Sequence, residues 1–247
     1  MKALFLSDLH LGAGYIDKPR EHEKRVVHFL RAEGPSADCI YLLGDVLDYW
    51  FEYRDVVPRG FVRFFGALAS LADKGVKITW MTGNHDIWLF DYLRTELGIE
   101  VVDAPYIERE IGGKKFILAH GDRLGHETPG FKFICSFFRN RLCQKLYSGI
   151  HPRLTVPFAH AWSKSSRGKG SEGGGQAHIG RIVEDAERLT DSHPEADFII
   201  EGHHHIALDR KLSNGHTRLI VLGDWIDKDT YATFDGQNVE LRKWADR

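Results

Sequence analysis

Three cysteines and two methionines are all the sulfur this 247-residue chain carries, and no Cys-x-x-Cys pair occurs among them. Neither a disulfide framework nor a thiolate zinc site can therefore organise it. Cys39 lies in an apolar run and reads as a small core residue, while Cys135 and Cys143, eight apart in a helical pattern, are too far along the axis for a disulfide. No run of about 18 apolar residues exists, and Met1 leads straight into Ala3-Leu4-Phe5-Leu6 with no basic leader. The expectation is no membrane span, no signal peptide and a reducing cytoplasm. Net charge is nearly missing as well: 33 Lys+Arg against 35 Asp+Glu leave −2. That excludes a nucleic-acid binder that is basic all over, and no nucleic-acid partner is expected. With 43% hydrophobic residues the chain is long enough to bury a core without staples, which rules out a mini-scaffold, a disordered chain and a coiled coil.

One further absence is local. No acidic residue stands between Thr128 and Ser171, where Lys132, Arg139, Arg141, Lys145, Arg153, Lys164, Arg167 and Lys169 supply eight positive charges. The remaining 25 basic and 35 acidic residues make the rest of the chain −10, so the near-neutral total conceals a +8 segment.

What is present is an alternation of short apolar runs with helical stretches, the pattern of an α/β (α+β) layered fold. Strands are expected at 2–7, 39–43, 76–82, 115–120, 197–201 and 217–222, and helices at 19–33, 58–74, 86–97 and 176–192, with Pro19 and Pro58 as early-turn residues. Segments 105–112, 206–212 and 229–244 alternate more strictly and carry turns at Gly113, Asn214-Gly215 and Asp235-Gly236, which adds antiparallel strands or a second sheet and favours a mixed sandwich. The chain reads as a single domain, 1–247, interrupted from about 123 to 175 by an insertion without strands. There Phe131, Ile134, Cys135, Phe138, Leu142 and Leu146 follow helical spacing, while Phe133 and Phe137 widen the apolar surface. The insertion ends in a Gly/Ser-rich loop, Ser163 to Gly175. It is not a Walker A loop, because Lys169 is followed by Gly and Ser163 stands where the first Gly belongs.

Polar residues cluster at the ends of the expected strands: Asp8-Leu-His10, Gly44-Asp45, Gly83-Asn84-His85-Asp86, His120-Gly-Asp122 and Gly202-His-His-His205. Ligands of α/β folds bind outside the carboxyl ends of strands, so the five clusters are expected to converge on one crevice. A lone Asp or His after a strand is usually a turn former; five such clusters are hard to dismiss that way. Asp8, His10, Asp45, Asn84, His120, His203 and His205 offer two carboxylates, four imidazoles and an amide, enough for two metal ions if one carboxylate bridges them. Gly44, Gly83, Gly121 and Gly202 beside them are expected where the chain turns tightly or backbones approach closely.

The ordered blocks SDLH, GD, GNHD, HGD and GHHH, spanning Asp8 to His205, resemble the calcineurin-like metallophosphoesterase superfamily. The resemblance implies a β-sandwich flanked by helices. It places Asp8, His10 and His205 on one metal, Asn84, His120 and His203 on the other, and Asp45 between them. Two such ions activate a water and clamp phosphoryl oxygens for in-line displacement. His85 would stabilise developing phosphoryl charge or protonate the leaving oxygen, with Asp86 fixing its tautomer or else capping the following helix. The donor set favours Mn²⁺, with Fe²⁺ or Zn²⁺ open.

A basic, aromatic helical segment suits an anionic membrane surface or a pocket for acyl chains; an ordinary helical subdomain with a solvated basic face is the plainer reading. Gly130-Phe131-Lys132, Arg139-Asn140-Arg141, Trp162-Ser163-Lys164-Ser165 and Val221-Leu222-Gly223-Asp224-Trp225 make the whole chain similar to bacterial UDP-2,3-diacylglucosamine diphosphatases of lipid A biosynthesis, which carry a helical lid after the HGD block. That similarity implies release of UMP and 2,3-diacylglucosamine 1-phosphate at the cytoplasmic face of the inner membrane. Asn84, His85, Ser163, Arg167, Lys169 and His203 would then contact the nucleotide-linked diacyl sugar. Gly83-Asn84-His85-Asp86 departs from the GNRD of many members and Gly202-His203-His204-His205 from their GHTH, with His204 a spacer and not a ligand. A hydrolase of a soluble phosphodiester or nucleotide, and a metal-free interaction scaffold on the same fold, are the alternatives.

Overall fold

The computed structural model describes residues 1–125, 129–159, 161 and 176–245. Two mixed sheets lie face to face. The first runs β11-β10-β1-β2-β3-β4, with β1 Ala3–Leu6, β2 Cys39–Leu43, β3 Lys77–Met81, β4 Glu100–Val102, β10 Thr230–Phe234 and β11 Val239–Lys243. The second runs β5-β6-β7-β9-β8, with β5 Tyr106–Ile111, β6 Lys114–Ala119, β7 Phe198–Glu201, β8 Ala207–Lys211 and β9 Arg218–Leu222. Strands β1 to β4 pair in parallel, as do β6, β7 and β9; β10 lies antiparallel to β1, and the hairpin partners β11, β5 and β8 make antiparallel edges.

Period-two alternation explains the layering. Leu4 and Leu6 of β1 face α1 (Pro19–Glu33) and α2 (Val62–Asp73) through Phe29, Leu30, Phe64 and Leu68. Ala3 and Phe5 point the other way, into the seam between the sheets, against Phe116, Leu118, Phe198 and Phe234. On the outer face of the second sheet, Ile117, Ile199 and Leu219 pack on Ile182 and Ala186 of α6 (Gln176–Ser192). Helix, sheet, sheet, helix is the order of layers, and the carboxyl ends of the parallel strands open along one edge.

Three expectations need correction. The helix expected from 58 begins at Val62, because Phe61 takes the left-handed conformation (φ 57°) and ends the approach, leaving Pro58 outside. The helix expected over 86–97 is only α3, Tyr92–Leu97; residues 86–91 are drawn in by other partners, with Glu52 Oε2 accepting from the Phe90, Asp91 and Tyr92 amides. The single helical progression through 131–146 is two helices, α4 (Pro129–Arg139) and α5 (Arg141–Ser148), separated by Asn140, whose extended backbone and side chain cap α5 at the Leu142 and Cys143 amides. These helices and the helical residues 152–159 cover a separate apolar cluster, where Phe138, Tyr147 and Val156 pack on Tyr49, Phe51 and Trp88.

Candidate metal centre

Each predicted ligand follows the strand that carries it: β1 leads to Asp8, β2 to Asp45, β3 to Asn84, β6 to His120 and β7 to His203. Cross-loop backbone bonds fix these strand ends on one another, from Asp8 N to Gly44 O (3.1 Å), His10 N to Asp45 O (2.9 Å) and Gly202 N to His120 O (2.9 Å). Among the described residues, seven non-glycine positions have positive φ, and Asp8, His10, Asp45, His203 and His205 are five of them. Such backbone costs on the order of 1–3 kcal/mol per residue and persists only where surrounding structure enforces it. Its concentration on the predicted ligands marks a site built at the expense of local comfort. Gly44 (φ +83°) makes the crowding possible, since a Cβ there would lie 2.5 Å from His120 Nδ1; at Gly83 it would lie 2.2 Å from Asp45 Oδ1.

Seven side chains converge. Asp8, His10 and His205 form one group, Asp45, His120 and His203 another, and His10, Asp45 and His85 a third, with donor atoms in each group within 4.8 Å of one another. Asp45 Oδ2 stands between, 3.7 Å from His10 Nε2 and 3.4 Å from His120 Nε2. Asn84 Oδ1 is 3.2 Å from His120 Nε2. The ring tautomers are set from behind. His120 Nδ1 donates to Leu43 O at 2.8 Å, which turns Nε2 toward Asp45, and His10 Nδ1 faces Asp48 Oδ1 at 3.4 Å, which turns its Nε2 toward Asp8 and Asp45.

The polar atoms left over test whether a metal fits. His10 Nε2 and Asp8 Oδ1 are buried, 3.7 Å apart, and neither has a hydrogen-bond partner among the described residues. Unpaired buried polar atoms of this kind are costly, and a cation between them, displacing the imidazole proton, satisfies both. The electrostatics agree. Burial favours the neutral acid, yet His205 and His10 hold Asp8 at about 2. Burial opposes an imidazolium, yet Asp48, Asp8 and Asp45 push His10 up to about 9, and Asp45 drives His120 up to about 10. Clustered carboxylates thus demand positive charge, and the imidazole, carboxylate and amide donors suit a divalent metal.

The role expected of Asp86 changes. Asp86 neither orients His85 nor caps a helix: its carboxylate is fully buried and accepts from the Gly83, Asp45 and Val46 amides and from Trp80 Nε1, so it folds the loops together. Asp48 takes the orienting role, with Oδ1 3.4 Å from His85 Nδ1 and its carbonyl at 3.2 Å. The only sign of Asp48 in the sequence is its place three residues after Asp45. His204 stays out of the ligand groups; its ring packs on His203 and His178, each 5.1 Å away, and burial with these neighbours holds it down at about 2. Ser163, Arg167 and Lys169 lie outside the described residues, as do Trp162 and the Gly/Ser-rich loop.

Helix α4 borders the site through Arg139. Its Nη2 donates to Gly83 O (3.1 Å) and Asp122 Oδ2 (3.2 Å), and its Nε to Asp103 Oδ1 (3.2 Å), which ties the helix to the loops before Asn84 and after His120. Beyond Arg139 the helical segment presents Phe133, Phe137, Leu142, Leu146, Leu154 and Phe158, all half or more exposed. Lys132, Arg141, Lys145 and Arg153 are exposed among them. No helix of the described residues is long and apolar enough to cross a membrane.

The family model for calcineurin-like phosphoesterase matches residues 1–207. A UDP-2,3-diacylglucosamine hydrolase of Porphyromonas gingivalis is 40% identical over 260 residues, covering 99% of this chain and 98% of that protein. Proteins of the same name from Aeromonas hydrophila and Nitrosococcus oceani are 28% and 29% identical, covering 92% and 91% of this chain and 92% and 88% of their own.

Proposed function

Because the chain belongs to the calcineurin-like phosphoesterase family and is a metal-dependent hydrolase, we propose that it cleaves the pyrophosphate of UDP-2,3-diacylglucosamine, giving UMP and 2,3-diacylglucosamine 1-phosphate. The observation that carries this reading is the juxtaposition of a two-metal ligand cluster with helices that expose a row of large apolar side chains. The similarity to hydrolases of that lipid over nearly the whole chain, helical segment included, supports it.

In this reading Asp8, His10 and His205 hold one ion, Asn84, His120 and His203 the other, and Asp45 both, with Mn²⁺ as the metal. When bound, the ions supply a water nucleophile at neutral pH and neutralise phosphoryl charge. His85, oriented by Asp48, stands beside His10 with ring centroids 4.8 Å apart and acts on the leaving phosphate oxygen as donor or as electrostatic partner. Asn84 and His203 contact the substrate phosphates. The segment 129–159 serves as a lid: its apolar row receives acyl chains or rests in the interface, and its basic residues face the anionic cytoplasmic leaflet of the inner membrane.

The test is product analysis. Incubated with Mn²⁺ and UDP-2,3-diacylglucosamine, the protein should release UMP. Absence of turnover on that lipid, together with brisk cleavage of a soluble nucleotide phosphoester, would overturn the assignment.

A further inference from the structure

A sixth strand end, that of β9, also reaches the metal centre, though none of its residues belongs to the ligand set. After β9 the chain runs Gly223-Asp224-Trp225, and Asp224 is 2% exposed. Its two oxygens are used differently. Oδ1 accepts from the backbone amides of Ile226 (3.0 Å), Asp227 (2.8 Å) and Lys228 (3.3 Å), which pins the carboxylate within its own turn. Oδ2 accepts from Lys228 Nζ at 2.7 Å and faces His205 Nδ1 at 3.8 Å. The next residue touches the same half of the site, since Trp225 N–H donates to Asp8 O at 3.1 Å, on a residue whose φ is 53°. Trp225 is itself immobilised: its ring is fully buried against Phe29, and its carbonyl accepts from Arg25 Nη2 at 2.9 Å.

His205 has particular need of such a partner. Its side chain is 29% exposed, against 2% for His10 and His120, so surrounding atoms do less to fix its ring. A carboxylate behind Nδ1 selects the tautomer with the proton on that nitrogen and leaves the Nε2 lone pair directed at Asp8 Oδ1, 3.5 Å away.

We propose that Asp224 is a positioning residue for one half of the dimetal centre: it orients His205 toward the ion shared with Asp8 and His10, while the Trp225 amide holds Asp8 from the other side. The proposal rests on the ligand division given above. Removal of the Asp224 charge weakens one metal site and spares the one formed by Asn84, His120 and His203. Loss of a carboxylate behind a ligating histidine typically costs 10–100-fold in metal affinity.

Asp224→Asn is the informative variant, because its amide oxygen still accepts the three backbone bonds of the turn while an NH₂ replaces the acceptor facing His205. Mn²⁺ binding to the full chain is measured by calorimetry and electron paramagnetic resonance. The wild type should bind two ions with a spin-coupled spectrum. Asp224→Asn should bind one ion normally and the second about 10–100-fold more weakly, with a mononuclear six-line spectrum at two equivalents. Lys228→Met, which retains the carboxylate, should keep two tight sites. Equal affinities for wild type and Asp224→Asn, or equal weakening by Lys228→Met, would overturn the proposal; a wild type that binds fewer than two ions would overturn the ligand division beneath it. A second measurement needs no variant of Asp224. In the ¹⁵N-histidine spectrum of the Zn²⁺-loaded wild type, with His205 assigned by difference from His205→Gln, its Nδ1 should carry a proton; metal-bound Nδ1 would refute the proposed role.

Discussion

Replacing Arg139 by Met should loosen the helical segment and the Asn84 loop together. The guanidinium is 13% exposed and bonds two carboxylates and the Gly83 carbonyl. Burial works against its charge, but Asp122 and Asp103 outweigh that and raise its affinity for the proton. Methionine fills much of the same volume, so the loss is chiefly electrostatic. Asp122, 2% exposed, is left with Arg123 Nε at 3.9 Å, whereas Asp103, 44% exposed, recovers water. Breaking a fully buried pair costs about 3–5 kcal/mol. Because one of the two carboxylates is half in solvent, the expected cost here is about 2–4 kcal/mol. For a chain of this size that corresponds to a fall of roughly 5–15 °C in Tm. Thermal denaturation of Arg139→Met, Asp122→Asn and the double variant gives the coupling directly, with about 1–3 kcal/mol expected between the pair. Additivity within about 0.5 kcal/mol would mean that the two side chains act independently, and the buried Arg139–Asp122 pair would not tie the helix to the loop.

Other consequences follow from the same geometry. Asp48→Asn should lower kcat by about 10–100-fold with little change in KM, read from steady-state kinetics, because His85 and His10 lose the carboxylate that orients them. Phe133→Asp with Phe137→Asp should raise KM for the diacyl substrate by at least about tenfold while sparing a small aryl phosphodiester, since burying even one such side chain is worth about 1.5–3 kcal/mol. In metal-free protein, His10 and His120 sit at about 9 and 10 against the ordinary 6.5, so their contribution is complete below pH 6.5 and is lost as pH rises through about 9 to 10. The Tm of chelated protein should therefore drop between pH 7 and pH 10, and that of Mn²⁺-loaded protein, whose ligand imidazoles are already neutral, should drop less.

The parts legible in sequence are those with local causes. Helices 19–33 and 176–192 and strand 39–43 show their periodicity and boundaries within a few residues, and the structure has the same limits. The seven candidate ligands are legible because their clusters each follow an apolar strand and several adjoin a glycine that the crowded centre requires. Strand β4 was not, since three residues carry no periodic signal and Glu100–Val102 exists only because β3 offers an edge. Asn140 was hidden by the apolar spacing on either side of it. Asp48, Arg139 and Asp224 escape for another reason: their partners at His85, Gly83 and His205 are distant in sequence and come within reach only when the loops that follow different strands meet. Asp86 shows the converse error, where adjacency to His85 suggested a contact that the backbone amides of three other residues had already claimed.

In the reading proposed above, seven side chains from five strand ends hold two metal ions, with Asp45 common to both. Elemental analysis of protein purified without chelator and reconstituted with Mn²⁺ tests it most directly, in wild type and in Asp45→Ala. Two ions per wild-type chain, and a marked loss at both positions in Asp45→Ala, are expected. One ion or none in the wild type, or two retained in Asp45→Ala, would contradict it.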